Sequence, residues 1–450
     1  MHDAPVGADA GSHDATGASE ASDTSDTQGP AVTACTQYAA KGYTVETSQS
    51  ARSDQDGDHF HQIWTHSDCT VYFSWVDAKN RWMVGQKTPG GKVTTAALMT
   101  DIKEDRYHNL PSIAVDRDGF IHAFGPMHHY KWHYRVSDQP GDISAFHDGQ
   151  STGRALPRGV DGTYQDCGPD WITYPNAVKD GDGDIYVSFR MRVSGGSWDA
   201  GDMSGNLARY DVRQKRWTAL GGASYEYSKY PCLIWIKEGS GGTAYQGYNL
   251  HPTVDRDGRL HLAFAINRNT GTSTSWKEEV HYVYSDDKGA TWHTVNGDPV
   301  PSLPILPTDK TRVRDAEEEK TLTYGFAIAH LDSSGKPVVS YQLKSDGPSV
   351  SRWTGSQWTH AKLGGGFPGR LFIDSNGLWT RFSSSGLEVS GDDGKSWKKY
   401  PRTLGSTQNM NVDMAYFKDT NLIRFVDHAA DTSGPWQVVT FAPDEWQPPH

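Results

Sequence analysis

The chain has 450 residues, of which 36% are hydrophobic and 11% aromatic, with 47 glycines, 16 tryptophans and 21 tyrosines. A net charge of −12 argues against a nucleic-acid binder held by a global basic field. No run of about 18 apolar residues is present, so no transmembrane helix is expected. Many aromatics and glycines with few long apolar runs suit short strands joined by turns.

Residues 1–33 are rich in Asp, Ser, Thr, Ala and Gly, with no aromatic side chain. Such a segment buries too little surface to offset its ordering entropy and reads as a disordered linker, leaving 34–450 as one domain. Linkers of this kind follow export signals, so the protein is expected to be secreted or in the bacterial cell envelope, its signal removed or absent. The four cysteines, Cys35, Cys69, Cys167 and Cys232, are compatible with two disulfides in an oxidising compartment. A Cys35–Cys69 bridge would tie the chain's entry to the first sheet. A zinc site using Cys167, Cys232 and a histidine is the alternative.

From about residue 60 the chain repeats itself. "PSIAVDRDGFIHAF" (111–124), "YPNAVKDGDGDIYVSF" (174–189), "PTVDRDGRLHLAF" (252–264) and "AIAHLDSSGKPVVSY" (327–341) are each a strand, an Asp/Gly turn and an alternating second strand. "LFIDSNGLWTRF" (371–382) and "AYFKDTNLIRFV" (415–426) read as more distant copies. Units starting near 60, 108, 172, 250, 324, 368 and 409 predict an all-β, seven-bladed β-propeller. "SDDKGATW" (285–292) and "SGDDGKSW" (390–397) fit an Asp-box, in which an Asp satisfies backbone donors and a Trp packs between blades. Their role is structural. "DGDGD" (180–184) has a calcium-like look but lacks the downstream glutamate of a calcium loop and reads as a β-turn.

Propellers bind ligands where loops converge at one mouth of the channel. His108, Tyr174 and His251 each lie at or just before the proline that opens an inner strand, and so are read as matching positions on three neighbouring blades. Past the second strands come His128 and His129, Arg190 and Arg192, and Asn267 and Arg268. Two rows of polar groups on blades two to four make a cleft. His122, His133 and His261 follow strand alternation and read as structural or solvent-facing. Trp132, Trp171 and Trp198 are aromatic candidates for stacking on a ligand bound near the mouth.

These residues resemble the BNR-repeat (Asp-box) propellers that include the ulvan lyases and the related rhamnose–glucuronate lyases. "HNLPSIAVDRDGFIHAF" (108–124), "TYPNAVKDGDGDIYVSFR" (173–190) and "SGNLARYD" (204–211) carry the resemblance. Asn176 stands where these proteins often have an acidic or basic residue, and the loop at 190–206 carries an insertion relative to theirs. The resemblance implies that His108, His128, Tyr174 and Arg190 are catalytic and that the substrate is an anionic polysaccharide.

The chemistry would be β-elimination at C4 of a uronate. Arg190 suits neutralisation of the carboxylate, because a guanidinium grips it in two places and keeps its charge. His108 and Tyr174 suit proton transfer, and which of them is the base is left open. His128 shares proton transfer or bonds the carboxylate. Asn109, His129, Arg192, His251, Asn267 and Arg268 would hold neighbouring sugars or a sulfate. No cofactor is required, a structural calcium or zinc ion is left open, and a monomer is expected. The competing readings are a rhamnose–glucuronate lyase, a sialidase-like hydrolase, for which no arginine triad stands out, and a non-catalytic carbohydrate-binding propeller.

Overall fold

The computed structural model describes residues 35, 41–49, 62–77, 79–102, 111–150, 172–192, 203–221, 232–237, 244–269, 275–315, 322–343, 347–364, 371–383, 385–402, 411–427 and 436–448. Their strands form seven four-stranded antiparallel units in chain order, with innermost strands at Ile63–Thr65, Ser112–Val115, Ile172–Lys179, Ala244–Val254, Leu322–Leu331, Leu371–Ile373 and Asn411–Val412. A single parallel bridge from His251 to Ile328 joins the fourth and fifth units. The expected unit starts lie within six residues of the starts of these strands.

Neighbouring blades are glued by apolar side chains that alternate out of the sheets. Phe124, Trp132 and Tyr134 of the second blade meet Phe189 and Trp217 of the third, with Trp132 edge-on to Phe189 at 4.9 Å. Trp132 is 4% exposed, so it is an inter-blade wedge and has no face left for a sugar. The same gluing joins the sixth blade to the seventh through Phe382 and Phe425, and the seventh to the first through Val426, Val438 and Phe73. The ring is therefore closed.

Closure uses the start of the chain. Gly42–Gln49 is the outermost strand of the last blade, antiparallel to Trp436–Ala442, and the Cys35–Cys69 disulfide fixes the preceding segment to the first blade. Cys232 is buried, and Cys167 lies outside the described residues. With the linked cysteines 34 positions apart in sequence, loss of the bridge releases unfolded-state entropy worth about 2–4 kcal/mol. Cys69→Ala is therefore expected to lose that much stability in denaturant unfolding, and an unchanged midpoint would contradict the closing role.

A polar device repeats inside the blades. Asp116 takes the Phe120 N–H at the turn and faces His122 Nε2 at 3.2 Å, while His122 Nδ1 meets the Tyr134 hydroxyl at 2.6 Å. Asp255, His261 and Tyr282 repeat it at 3.1 and 2.7 Å, and in the third blade Tyr186 donates to Asp180 at 3.0 Å. His122 and His261 are thus structural. His133 is half-buried against the Pro126 carbonyl, and burial pushes its imidazole down to about 4. In the two Asp-box candidates Asp287 accepts from the Thr291 N–H and Asp392 from the Ser396 N–H, each at 2.8 Å.

The seventh unit departs from the strand–turn–strand reading of 415–426. Met414–Thr420 is a helix, N-capped by Asp413, which accepts from Tyr416 N, and ended by Asn421 in the left-handed region. An Asp and an Asn bracketing a run without β-branched residues before Thr420 favour one capped helix over a strand. The helix lines one end of the central cavity, where Lys418 donates to the Lys179 carbonyl and Arg256 to the Lys418 carbonyl. Asp413 is fully buried, and burial pushes its carboxyl from 3.8 up to about 6 despite bonds from the Thr65 hydroxyl and Tyr416 N–H and the nearby Arg424. A carboxyl raised in the folded state contributes stability below its unfolded value and loses it as pH rises through about 6. Asp413→Asn is expected to remove up to about 3 kcal/mol of the stability change between pH 4 and pH 7 measured by urea unfolding. An identical pH slope in both proteins would contradict this.

Candidate active site

The site is built on two bulges. Ile172–Lys179 pairs with Ile185–Arg192 so that Thr173 faces Arg190 and the next pair is Asn176 with Ser188, which extrudes Tyr174 and Pro175. Pro175 has no N–H to offer the ladder, and Tyr174 sits at φ 61°, a strained setting for a bulky residue that costs about 1–3 kcal/mol. In the fourth blade Tyr248 faces Ala265 and His251 faces Ala263, which extrudes Asn249 and Leu250. Bulges of this kind re-aim side chains next to functional sites.

The extruded Tyr174 is 8% exposed and gathers a cluster around itself. The strand His128–Tyr130 runs antiparallel beside it, with His128 opposite Thr173, and stacks the His128 ring on Tyr174 at 6.2 Å between centroids. The Arg190 guanidinium lies 4.9 Å from the Tyr174 ring and 5.0 Å from the Tyr248 ring. The two hydroxyls are 3.5 Å apart. A permanent cation held between two π faces, beside an imidazole and two phenols, offers anion capture next to groups that give and take protons.

The structure thus brings together Tyr174, Arg190 and His128 of the residues singled out in the sequence. His251 is placed differently. Register makes it the counterpart of Asn176, two residues past Tyr174, and Asn176 Nδ2 donates to His251 Nδ1 at 3.0 Å. His251 is 7% exposed and lines a channel cavity of about 480 Å³ that runs from Asn176 and Asn411 to the helix at one end. Tyr248 was missed in the sequence because the prolines were aligned instead of the bulges. His108, Asn109, Trp171 and Trp198 lie outside the described residues, as do the side chains of His129, Arg192, Asn267 and Arg268. The backbones of Arg192, Asn267 and Arg268 continue the second strands beyond the bulges, Arg192 two residues past Arg190.

Among the described residues no group of His, Cys, Asp or Glu is arranged to hold a metal ion. The acidic turn at 180–184 is filled by an ammonium: Lys288 Nζ lies 2.6 Å from Asp182, 2.9 Å from Asp184 and 3.6 Å from Asp180, and Arg209 Nε donates to Asp184 at 2.8 Å. Burial and the neighbouring Asp184 push Asp180 up, while Lys288 holds Asp182 down. Among the described residues no helix is long and apolar enough to cross a membrane.

Comparison with known proteins agrees with this architecture. The chain is 24% identical over 292 residues to "Ulvan Lyase-PL25" of Pseudoalteromonas sp. (strain PLSV), covering 56% of this chain and 51% of that protein. It is 22% identical over 292 residues to "Ulvan lyase" of Alteromonas sp. (strain LOR), with the same coverage. The chain thus spans about half the length of the curated relatives it matches. The crystal structure of the polysaccharide lyase Uly1 superposes with a TM-score of 0.60 at 16% identity, over 86% of this chain and 90% of that one. A PL25 ulvan lyase bound to -[GlcA(1-4)Rha3S]- gives 0.57 at 13% identity, over 89% and 95%. At these identities the superpositions establish the propeller fold. The sequence model of the BNR repeat-containing family matches residues 70–364, well over half of the chain, and the protein belongs to that family.

Proposed function

We propose that the protein is a polysaccharide lyase that cleaves a uronic-acid-containing, ulvan-like polymer by β-elimination. The observation that carries this reading is the Arg190 guanidinium between Tyr174 and Tyr248, with His128 stacked on Tyr174. The names of the curated relatives support the substrate class.

Arg190 pairs with the uronate carboxylate and draws charge from C5, so the C5–H bond becomes acidic. A base, Tyr174 or His108, removes that proton. The C5–H electrons form the C4=C5 double bond as the C4–O bond breaks, and the departing oxygen takes a proton from the acid of the site. No water is consumed. His128 orients the Tyr174 phenol or bonds the carboxylate. Asn109, His129, Arg192, Asn267 and Arg268 are the candidates for contacts with neighbouring sugars and a sulfate. A cation confined to one mouth lets a protein of net charge −12 bind a polyanion. The Cys35–Cys69 bridge supports an oxidising location, secreted or in the cell envelope.

The test is incubation with ulvan, other uronate polymers and neutral polysaccharides while ultraviolet absorbance is followed. Elimination creates a conjugated unsaturated uronate and raises absorbance. A hydrolase would release reducing ends without it, and a binding module would do neither. Absence of the signal on every uronate polymer would overturn the reading.

A further inference from the structure

The two bulges that carry Tyr174 and Tyr248 lie on different blades, yet their hydroxyls meet at 3.5 Å. Strand pairing inside one blade cannot set that distance, because among the described residues no ladder joins these two inner strands. Each bulge also interrupts its own ladder over two residues, which loosens the segment that must be held most tightly. Something else has to fix one bulge against the other.

Two buried cross-blade bonds do so. Ser188, the ladder partner of Asn176, is fully buried; its hydroxyl donates to the Leu250 carbonyl at 2.6 Å and lies 3.4 Å from the Asn176 carbonyl. Leu250 is one of the two residues extruded from the fourth-blade strand. Beside it, Asn176 Nδ2 donates to His251 Nδ1 at 3.0 Å, and these two residues are the first paired positions after each bulge. We infer that Ser188 and the Asn176–His251 pair form a clamp between the two bulges, and that they are positioning residues for the Tyr174–Arg190–Tyr248 cluster.

Chemistry fits the assignment. A bulge exposes backbone groups that its ladder no longer satisfies, and a buried serine hydroxyl is a donor short enough to take one across a blade seam. An imidazole that accepts at Nδ1 fixes its own tautomer and ring plane, and so makes a rigid abutment for the Asn176 amide. Tyr174 keeps its strained left-handed backbone only while the residues after it are fixed, and Asn176 is the first of these.

The inference deepens the proposed lyase function, and its test separates the two. Ser188→Ala and His251→Ala are compared with Ser188→Thr and His251→Gln, which retain a hydroxyl donor and an amide acceptor. Hydrogen–deuterium exchange, which needs no substrate, is expected to rise in both bulges, 173–176 and 248–251, in either alanine variant, although each changes one blade only. On a uronate polymer kcat is expected to fall about tenfold to a hundredfold with KM nearly unchanged, because misplacement by about 1 Å acts on the reacting geometry. The conservative variants should restore both readouts. In a Tyr174→Phe background the clamp variants should lower kcat by a smaller factor than in the wild-type background. Exchange confined to the mutated blade, or kcat and its pH profile unchanged in the alanine variants of an active enzyme, would overturn the clamp. A wild-type protein without elimination activity would overturn the lyase reading alone and leave the exchange result to decide the clamp.

Discussion

Tyr174→Phe is expected to lower the elimination rate by about 10²- to 10⁴-fold while leaving the fold intact, since a positioned proton-transfer group contributes about that much. The substitution deletes one oxygen from a ring whose packing is aromatic: the phenyl face still lies against the Arg190 guanidinium and the His128 ring. Within the cluster it breaks the hydroxyl pair with Tyr248, whose separation of 3.5 Å marks a weak bond. Circular dichroism and the unfolding midpoint should therefore match the wild type. Tyr248→Phe removes the same weak bond from the other side and serves as the control. If the two variants lost equal activity, the hydroxyl pair would be the functional unit. If Tyr174→Phe kept full activity, proton transfer would belong elsewhere.

Arg190→Lys is expected to cost about 10²- to 10³-fold in kcat/KM, close to the effect of deleting a preorganised charge donor. The positive charge survives, but the planar fork that grips a carboxylate at two points does not. An ammonium also stacks poorly between the two tyrosine rings that hold the guanidinium at 4.9 and 5.0 Å. The loss should be specific to uronate. On a polymer whose carboxylates have been reduced to alcohols, wild type and variant should bind equally weakly, as measured by isothermal titration calorimetry. Equal loss of affinity for charged and reduced polymers would show a packing role and would remove Arg190 from the chemistry.

Much of the architecture was legible because its signals are local. An Asp-to-Gly turn between alternating strands names a hairpin wherever it occurs, and its recurrence at 116–119, 180–183, 255–258, 332–335 and 374–377 leaves few alternatives to a propeller. Asp287 and Asp392 perform the hydrogen bonding that their spacing from Ser285 and Ser390 announces. The strand Gly42–Gln49 was not legible as part of the last blade, because its partner Trp436–Ala442 lies at the other end of the sequence and a lone strand does not name its neighbour. The helix Met414–Thr420 was hidden by its place in the repeat, although Asp413 and Asn421 bracket it with cap residues.

At the site the sequence pointed to Tyr174, Arg190 and His128, and the structure places them in one cluster. It also paired His251 with Tyr174, on the ground that both stand near a proline. Ladder register decides otherwise: the bulges put Asn176 and His251 level, and bring Tyr248, four residues before Pro252, up to Arg190. A bulge shifts every later side chain, and proline spacing carries no record of which residue is extruded.

The most direct measurement is a crystal structure of the Tyr174→Phe protein soaked with a uronate-containing oligosaccharide. A uronate carboxylate paired with Arg190, its C5 turned toward position 174, is the predicted result. A sugar bound with its carboxylate away from Arg190, or seated only in the channel beyond His251, would contradict the account.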